Sequence, residues 1–275
     1  MAHPRMCPHC RAFIDPKAKI CDYCGNELGK PLWKQQAAST GGRGLIPQSN
    51  FTTLIILLVN FGLFAATLIM TFKQGDSTGL MAGIDGHVLR LFGAKDRFLI
   101  LHGEWWRLIM AGFLHGGVLH ILMNSWVMFD LGFRVEELFG TARFLVIYLV
   151  SSACGFVAST FWTPYLSIGA SAGIFGLIGA MIADGRRGGG PIMSSMYLRW
   201  ALIILVIGFL PFFPFDNAAH VGGLAAGFLI AYFGGTPRIA DPIESVWKVA
   251  AGTALAVVAL SFYLAYESLS ERMLF

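Results

Sequence analysis

The chain has 275 residues, of which 56% are hydrophobic and only 13% charged, and its formal net charge is +4. An ordinary soluble domain carries about 25% charged residues, so the composition excludes one. A mean hydropathy of +0.64 and several long uncharged runs read as an all-α polytopic membrane protein.

Residues 1–50 hold Cys, Lys, Gly and Pro and no long apolar run, so they do not read as a secretory signal peptide. Cys7, Cys10, Cys21 and Cys24 form C-x2-C-x10-C-x2-C. Two-residue spacers let both thiolates of a pair turn onto one ion, and two such knuckles complete a tetrahedral Zn2+ site. The competing readings are a redox C-x-x-C pair and a disordered tail. A reducing cytoplasmic setting argues against disulfides, and so short a segment needs the metal for its folding free energy. The expected organisation is a small four-cysteine zinc ribbon at 1–30, a Gly- and Ser-containing linker at 31–50, a six-span core at 51–235 and a seventh span with its tail at 236–275.

The first predicted span is 51–72. The stretch to about Gly103 mixes Asp76, Asp85, Arg90, Lys95, Asp96 and Arg97 with Leu and Phe, and predicts short helices in the membrane interface. An amphipathic lead-in at 105–115 precedes a second span at 118–133, and the others are placed at 144–162, 169–183, 198–213, 218–233 and 246–266. With the N-terminus inside, Arg134, Arg143, Arg186, Arg187, Arg199, Arg238 and Lys248 all fall on the cytoplasmic side. Cys154, in the third span, reads as a small buried residue.

Polar groups inside spans are expensive and are functional candidates by default. Ser171 opens the fourth span and His220 the sixth. His120 and Asn124, four residues apart, share one face of the second. All three spans enter from the outside, so the four residues lie at similar depth. Singly, each has a bland reading: a packing serine among glycines, a capping histidine, interhelical hydrogen-bond glue. Together they supply a nucleophile, a base and two donors, the parts of acyl transfer.

Gly169 and Ala170 leave room over Ser171, and the free N–H groups of the helix start face a developing oxyanion there. Phe175, one turn on, is placed to stack on the His220 ring. Gly222, Gly223, Ala226 and Gly227 let the sixth span approach the fourth closely. "GASAG" also fits G-x-S-x-G, but its flanks lack the strand that an α/β-hydrolase elbow needs.

Residues 104–227 resemble the rhomboid family of intramembrane serine proteases. The resemblance rests on "GEWWRLIMAGFLHGGVLHILMN", "LGFRVEELFG", "GASAGIFG" and "AHVGGLAAG". It departs at Phe175, where the family often has tyrosine. It implies a rhomboid-like six-helix core and a Ser171–His220 dyad without a third acid, with no cofactor for catalysis. Asn124, His120 and the Ser171 N–H would serve as oxyanion donors. Glu136 and Arg134 would be structural, and Trp106 and Arg107 would anchor the first loop. Asp216, or else Asn217, reads as an N-cap for the sixth span, and "PFFPFD" at 211–216 as a movable cap. The implied partners are transmembrane protein substrates and the lipid bilayer, with no nucleic acid. Whether the zinc module binds a cytoplasmic partner stays open. The expected location is a bacterial plasma membrane, N-terminus cytoplasmic, with the site opening to the outer side. The alternatives are a non-catalytic rhomboid-like protein that binds membrane helices and, with less in its favour, a transporter.

Overall fold

The computed structural model describes residues 5–6, 13–14, 19, 51–74, 83–210, 215–237 and 243–274. The chain divides into two compact units, 1–48 and 49–275. In the first, β1 (Arg5–Met6) pairs antiparallel with β2 (Phe13–Ile14), Arg5 opposite Ile14 and Met6 opposite Phe13. The four cysteines predicted to bind zinc lie outside the described residues.

The second unit runs through α1 (Phe51–Lys73), α2 (Gly86–Leu91), α3 (Arg97–Leu101), α4 (Arg107–Met110), α5 (Val118–Val127), α6 (Phe133–Trp162), α7 (Ser171–Asp184), α8 (Pro191–Ile207), α9 (Asn217–Gly234) and α10 (Glu244–Leu274). The predicted spans overlap these helices, the second running over α5, the turn after it and the start of α6. Among the described residues, three helical stretches are long and apolar enough to cross a membrane: Phe51–Lys73, Val118–Trp162 and Glu244–Arg272. The outer faces carry bare apolar side chains; Leu58, Trp126, Trp162, Ile192 and Phe233 are each more than two-thirds exposed. A belt of that kind suits lipid and not water, and it supports an integral membrane protein.

Buried polar groups set the joints. The buried Glu136 carboxylate accepts hydrogen bonds from the Thr52 and Thr53 amides (3.3 and 3.0 Å), Thr53 Oγ1 (2.7 Å) and Thr141 Oγ1 (3.3 Å). It thereby satisfies orphan donors in the first turn of α1 and places negative charge at the positive end of that helix. A wide turn at Met128–Gly132 joins α5 to α6 without a break, and the chain reverses only at Gly140, whose φ of 75° suits glycine. The second predicted span therefore extends past its expected end. In the first loop, Asp85 and Asp96 cap α2 and α3. The fully buried Arg107 side chain ties the loop together through Glu104 (2.7 Å), Arg90 O (2.6 Å) and Ala94 O (3.1 Å). Glu104 also receives Arg272 from α10 (2.6 Å), while Arg143 pairs with Glu244 near the other end of that helix.

The fifth predicted span needs correction. Expected at 198–213, the helix is Pro191–Ile207. Proline is pre-organised for the first helical position. Ser194 and Ser195, which look like a polar interruption, are satisfied by bonds to Ile182 O (3.2 Å) and Ile192 O (2.8 Å). Residues 211–214 of the expected movable cap lie outside the described set.

The centre of the unit is α7, buried from Ala172 to Ala183. It packs against α6 and α9, and glycine makes the approach close. A Cβ on Gly223 would run into Ala172 O, and one on Gly227 into Gly176 O. Lipid supplies no hydrophobic drive between helices, so close backbone packing has to hold them together.

Candidate active site

Residues 167–170 feed into the buried helix α7. Gly169 has φ 122° and donates its N–H to Ala111 O (2.9 Å), which brings the chain across the end of α4 and turns it into Ser171. As the first residue of α7, Ser171 keeps a backbone N–H with no intrahelical acceptor. α9 begins beside it. Asp216 caps that helix through the Ala219 N–H (3.0 Å), and its carbonyl accepts from the His220 N–H (3.0 Å). His220 therefore sits one turn into α9, buried, facing Ser171.

His220 Nε2 lies 2.9 Å from Ser171 Oγ. Behind it the Phe175 ring stacks on the imidazole at 4.2 Å between centroids and 2° between planes. Among the described residues His220 Nδ1 is buried without a hydrogen-bond partner. Asp216 is not that partner: its carboxylate is taken by the Ala219 N–H and by Ser159 Oγ. The capping role expected of Asp216 is the one it has.

α5 contributes the donors. His120 Nδ1 faces the Gly116 N–H at 3.4 Å. An Nδ1 that accepts this amide leaves the ring proton on Nε2. That Nε2 points at the loop before the serine, because a Cβ built on Gly169 would lie 2.7 Å from it and 3.5 Å from Asn124 Nδ2. Gly169 is thus needed both for its φ and for the space. Among the described residues Asn124 Nδ2 is buried with no hydrogen-bond partner, so its N–H groups are free to donate. The four polar residues singled out in the sequence, with Phe175 and Gly169, come together around the start of α7.

Residues 102–237 match the rhomboid domain. The relatives agree with it. Rhomboid protease GluP of Bacillus subtilis is 37% identical over 185 residues, which cover 64% of this chain and 35% of that protein. RHOMBOID-like protein 5 of Arabidopsis thaliana is 36% identical over 152 residues, 52% of this chain and 48% of its own. Rhomboid-like protease 1 of Toxoplasma gondii is 30% identical over 190 residues, 66% of this chain and 65% of its own. The chain thus spans between about a third and two thirds of the length of these relatives. The domain match and the relatives support the rhomboid family.

In and beside the matched residues, sequence reasoning passed over three groups. His115 is fully buried, and its ring meets His120 edge-on at 5.2 Å. Tyr148 packs its ring where a Cβ on Gly173 would stand, 2.6 Å from Cε2. Lys95, just outside the matched region, is fully buried although it looked like an interfacial charge. A lone lysine between apolar runs, "LFGAKDRFLI", was the available signal. No three His, Cys, Asp or Glu side chains gather into a metal-holding group among the described residues.

Proposed function

We propose that this protein is an intramembrane serine endopeptidase that hydrolyses peptide bonds in or near transmembrane helices of other membrane proteins. The observation that carries the reading is the 2.9 Å contact between Ser171 Oγ and His220 Nε2 at the head of a buried helix. The unpartnered Asn124 amide beside it adds support, as do relatives named as proteases.

In this mechanism Ser171 Oγ attacks the substrate carbonyl carbon as its proton passes to His220 Nε2. The oxyanion is met by Asn124 Nδ2, His120 Nε2–H and the Ser171 N–H. The imidazolium that forms is held against the Phe175 face, where ring stacking and cation–π attraction both favour it. His220 then gives the proton to the leaving amine as the C–N bond breaks. A water enters and loses a proton to His220 as its oxygen attacks the acyl carbon. Collapse frees the acid and returns the proton to Ser171. The dyad works without a third acid, since the Asp216 carboxylate is occupied by its cap and by Ser159.

A helical substrate hides its peptide bonds, so it must unwind locally, and Gly, Pro or small residues near its outer end favour that. Charge placement supports a cytoplasmic N-terminus and a site opening outward, and the apolar runs support seven spans; the proposed location is a plasma membrane of bacterial type. The proposed layout is a zinc-binding module at 1–30, a linker at 31–50, the protease core at 51–235 and the last span beyond. The Ser–His contact favours this reading over a helix-binding protein without catalysis.

The test is cleavage of a labelled panel of transmembrane helices in liposomes by the wild type and by Ser171→Ala. Products from the wild type alone are expected. Bound but uncut helices with both proteins would move the assignment to helix binding.

A further inference from the structure

The Lys95 side chain is fully buried, yet it comes from the first loop and not from the protease helices. Its ammonium donates to Thr163 O (2.6 Å), Tyr165 O (3.0 Å) and Thr163 Oγ1 (3.1 Å), the C-terminal end of α6. The Thr163 carbonyl is at the C-cap of a long helix, whose negative end favours a cation. Burial pushes this ammonium below the usual lysine range, while Asp216 and Asp96 pull it back up.

Two routes lead from Lys95 to the proposed dyad. The first is along the backbone. Lys95 and Ser167 exchange both hydrogen bonds of an antiparallel bridge, N to O at 3.0 and 3.2 Å. Two residues later Gly169 is tied to Ala111 O, and Ser171 follows. The second is through side chains. Thr163 Oγ1 lies 3.0 Å from Ser159 Oγ, and Ser159 Oγ bonds Asp216 Oδ2. Lysine can only donate and carboxylate can only accept, so Lys95 donates to Thr163 and Ser159 Oγ donates to Asp216. The Thr163 hydroxyl proton is shared between Ser159 Oγ at 3.0 Å and the Ser159 carbonyl at 3.2 Å, and either acceptor ties Thr163 to Ser159. A connected run of polar groups between a cation and an anion in a low-dielectric setting polarises its members. Its end point, Asp216, caps α9 one turn before His220.

We infer that Lys95 is a positioning residue for both halves of the dyad, holding Ser171 through the Ser167 bridge and His220 through the Thr163–Ser159–Asp216 chain. The inference rests on the protease reading above. It makes the first loop part of the catalytic geometry: loop, serine and histidine are placed from one residue, the serine side by its backbone bridge and the histidine side by its buried ammonium.

The experiment uses the full chain in liposomes, with Lys95→Met, which keeps the stem and removes the donors, Lys95→Arg, which keeps the charge, and Ser159→Ala, a minimal cut in the middle of the chain. Misplacing reacting groups by about 1 Å can cost on the order of a hundredfold. Lys95→Met and Ser159→Ala are expected to lower kcat about tenfold or more with KM unchanged, and Lys95→Arg to keep most of the activity. Amide exchange is expected to quicken at 163–171 in the lysine variant and at 216–220 in both. Wild-type kcat in Lys95→Met and Ser159→Ala would overturn the inference. So would exchange that rises evenly over all helices, with the arginine variant no better than methionine. If the wild type itself cuts nothing, the protease reading falls. The exchange pattern still decides whether Lys95 holds these two segments.

Discussion

The Phe175 and His220 rings lie parallel within 2°, with 4.2 Å between their centroids. Both residues are buried, and the rings come from two helices whose glycines let the backbones touch. Stacked pairs of this kind contribute about 0.5–1.5 kcal/mol beyond area burial. Phe175→Leu should therefore lower kcat about 3- to 10-fold, and Phe175→Tyr should keep it near wild type. Steady-state cleavage of one transmembrane substrate decides the point; equal rates for all three would remove the ring from the mechanism.

A serine hydroxyl 2.9 Å from an imidazole nitrogen should react with a fluorophosphonate probe. Wild-type protein is expected to label at Ser171, as read by mass spectrometry of the adduct. Ser171→Ala should not label, and His220→Ala should label at least about a thousandfold more slowly, as loss of a nucleophile–base pair does elsewhere. Labelling that persists in Ser171→Ala would place the nucleophile at another residue.

Asn124 trades stability for function. Its buried Nδ2 has no partner in the resting protein, and an unmet buried donor costs about 1–3 kcal/mol. Losing one oxyanion donor typically costs about 10²–10³ in kcat. Asn124→Ala should show that loss without any fall in thermal midpoint. A parallel drop in both would mean that the amide is structural glue.

The α7–α9 seam depends on hydrogen where a methyl would stand. Gly223→Ala and Gly227→Ala should each destabilise by about 1–3 kcal/mol and spread the dyad, since the new Cβ meets carbonyl oxygen. Gly252 on α10 has nothing within 4 Å of that position. Gly252→Ala should be neutral or gain up to about 1 kcal/mol. Denaturation in mild detergent separates the two groups of variants.

The cysteine module carries its own test. About one zinc per chain is expected from elemental analysis of purified protein, and Cys7→Ser with Cys10→Ser should abolish it. Cleavage should survive the change, because Ser171, His220, His120 and Asn124 all belong to the second unit. Zinc retained in full by the double variant would point to some other ligand set.

The approximate helix positions and the four polar residues that gather at the start of α7 were legible along the chain, because each rests on a local pattern: apolar run length, the four-residue spacing of His120 and Asn124, glycines in front of a serine. The start of α8 was not. A hydropathy window sees Ser194 and Ser195 as polar, while the helix answers them with carbonyls of α7 and of its own first turn. Gly140 as the true reversal was visible only as part of a motif.

What the sequence by itself determined is the membrane character, the approximate helices and the polar residues that gather at the start of α7, since those follow from composition and short-range spacing. Only the tertiary structure decided that Asp216 is committed to a cap and to Ser159, that His220 Nδ1 has no acid behind it, and that Lys95 reaches the end of α6. Each of these depends on which orphan donor meets which acceptor across 57 or 68 residues of chain. In a medium without water that pairing is settled by packing, and no local pattern encodes it.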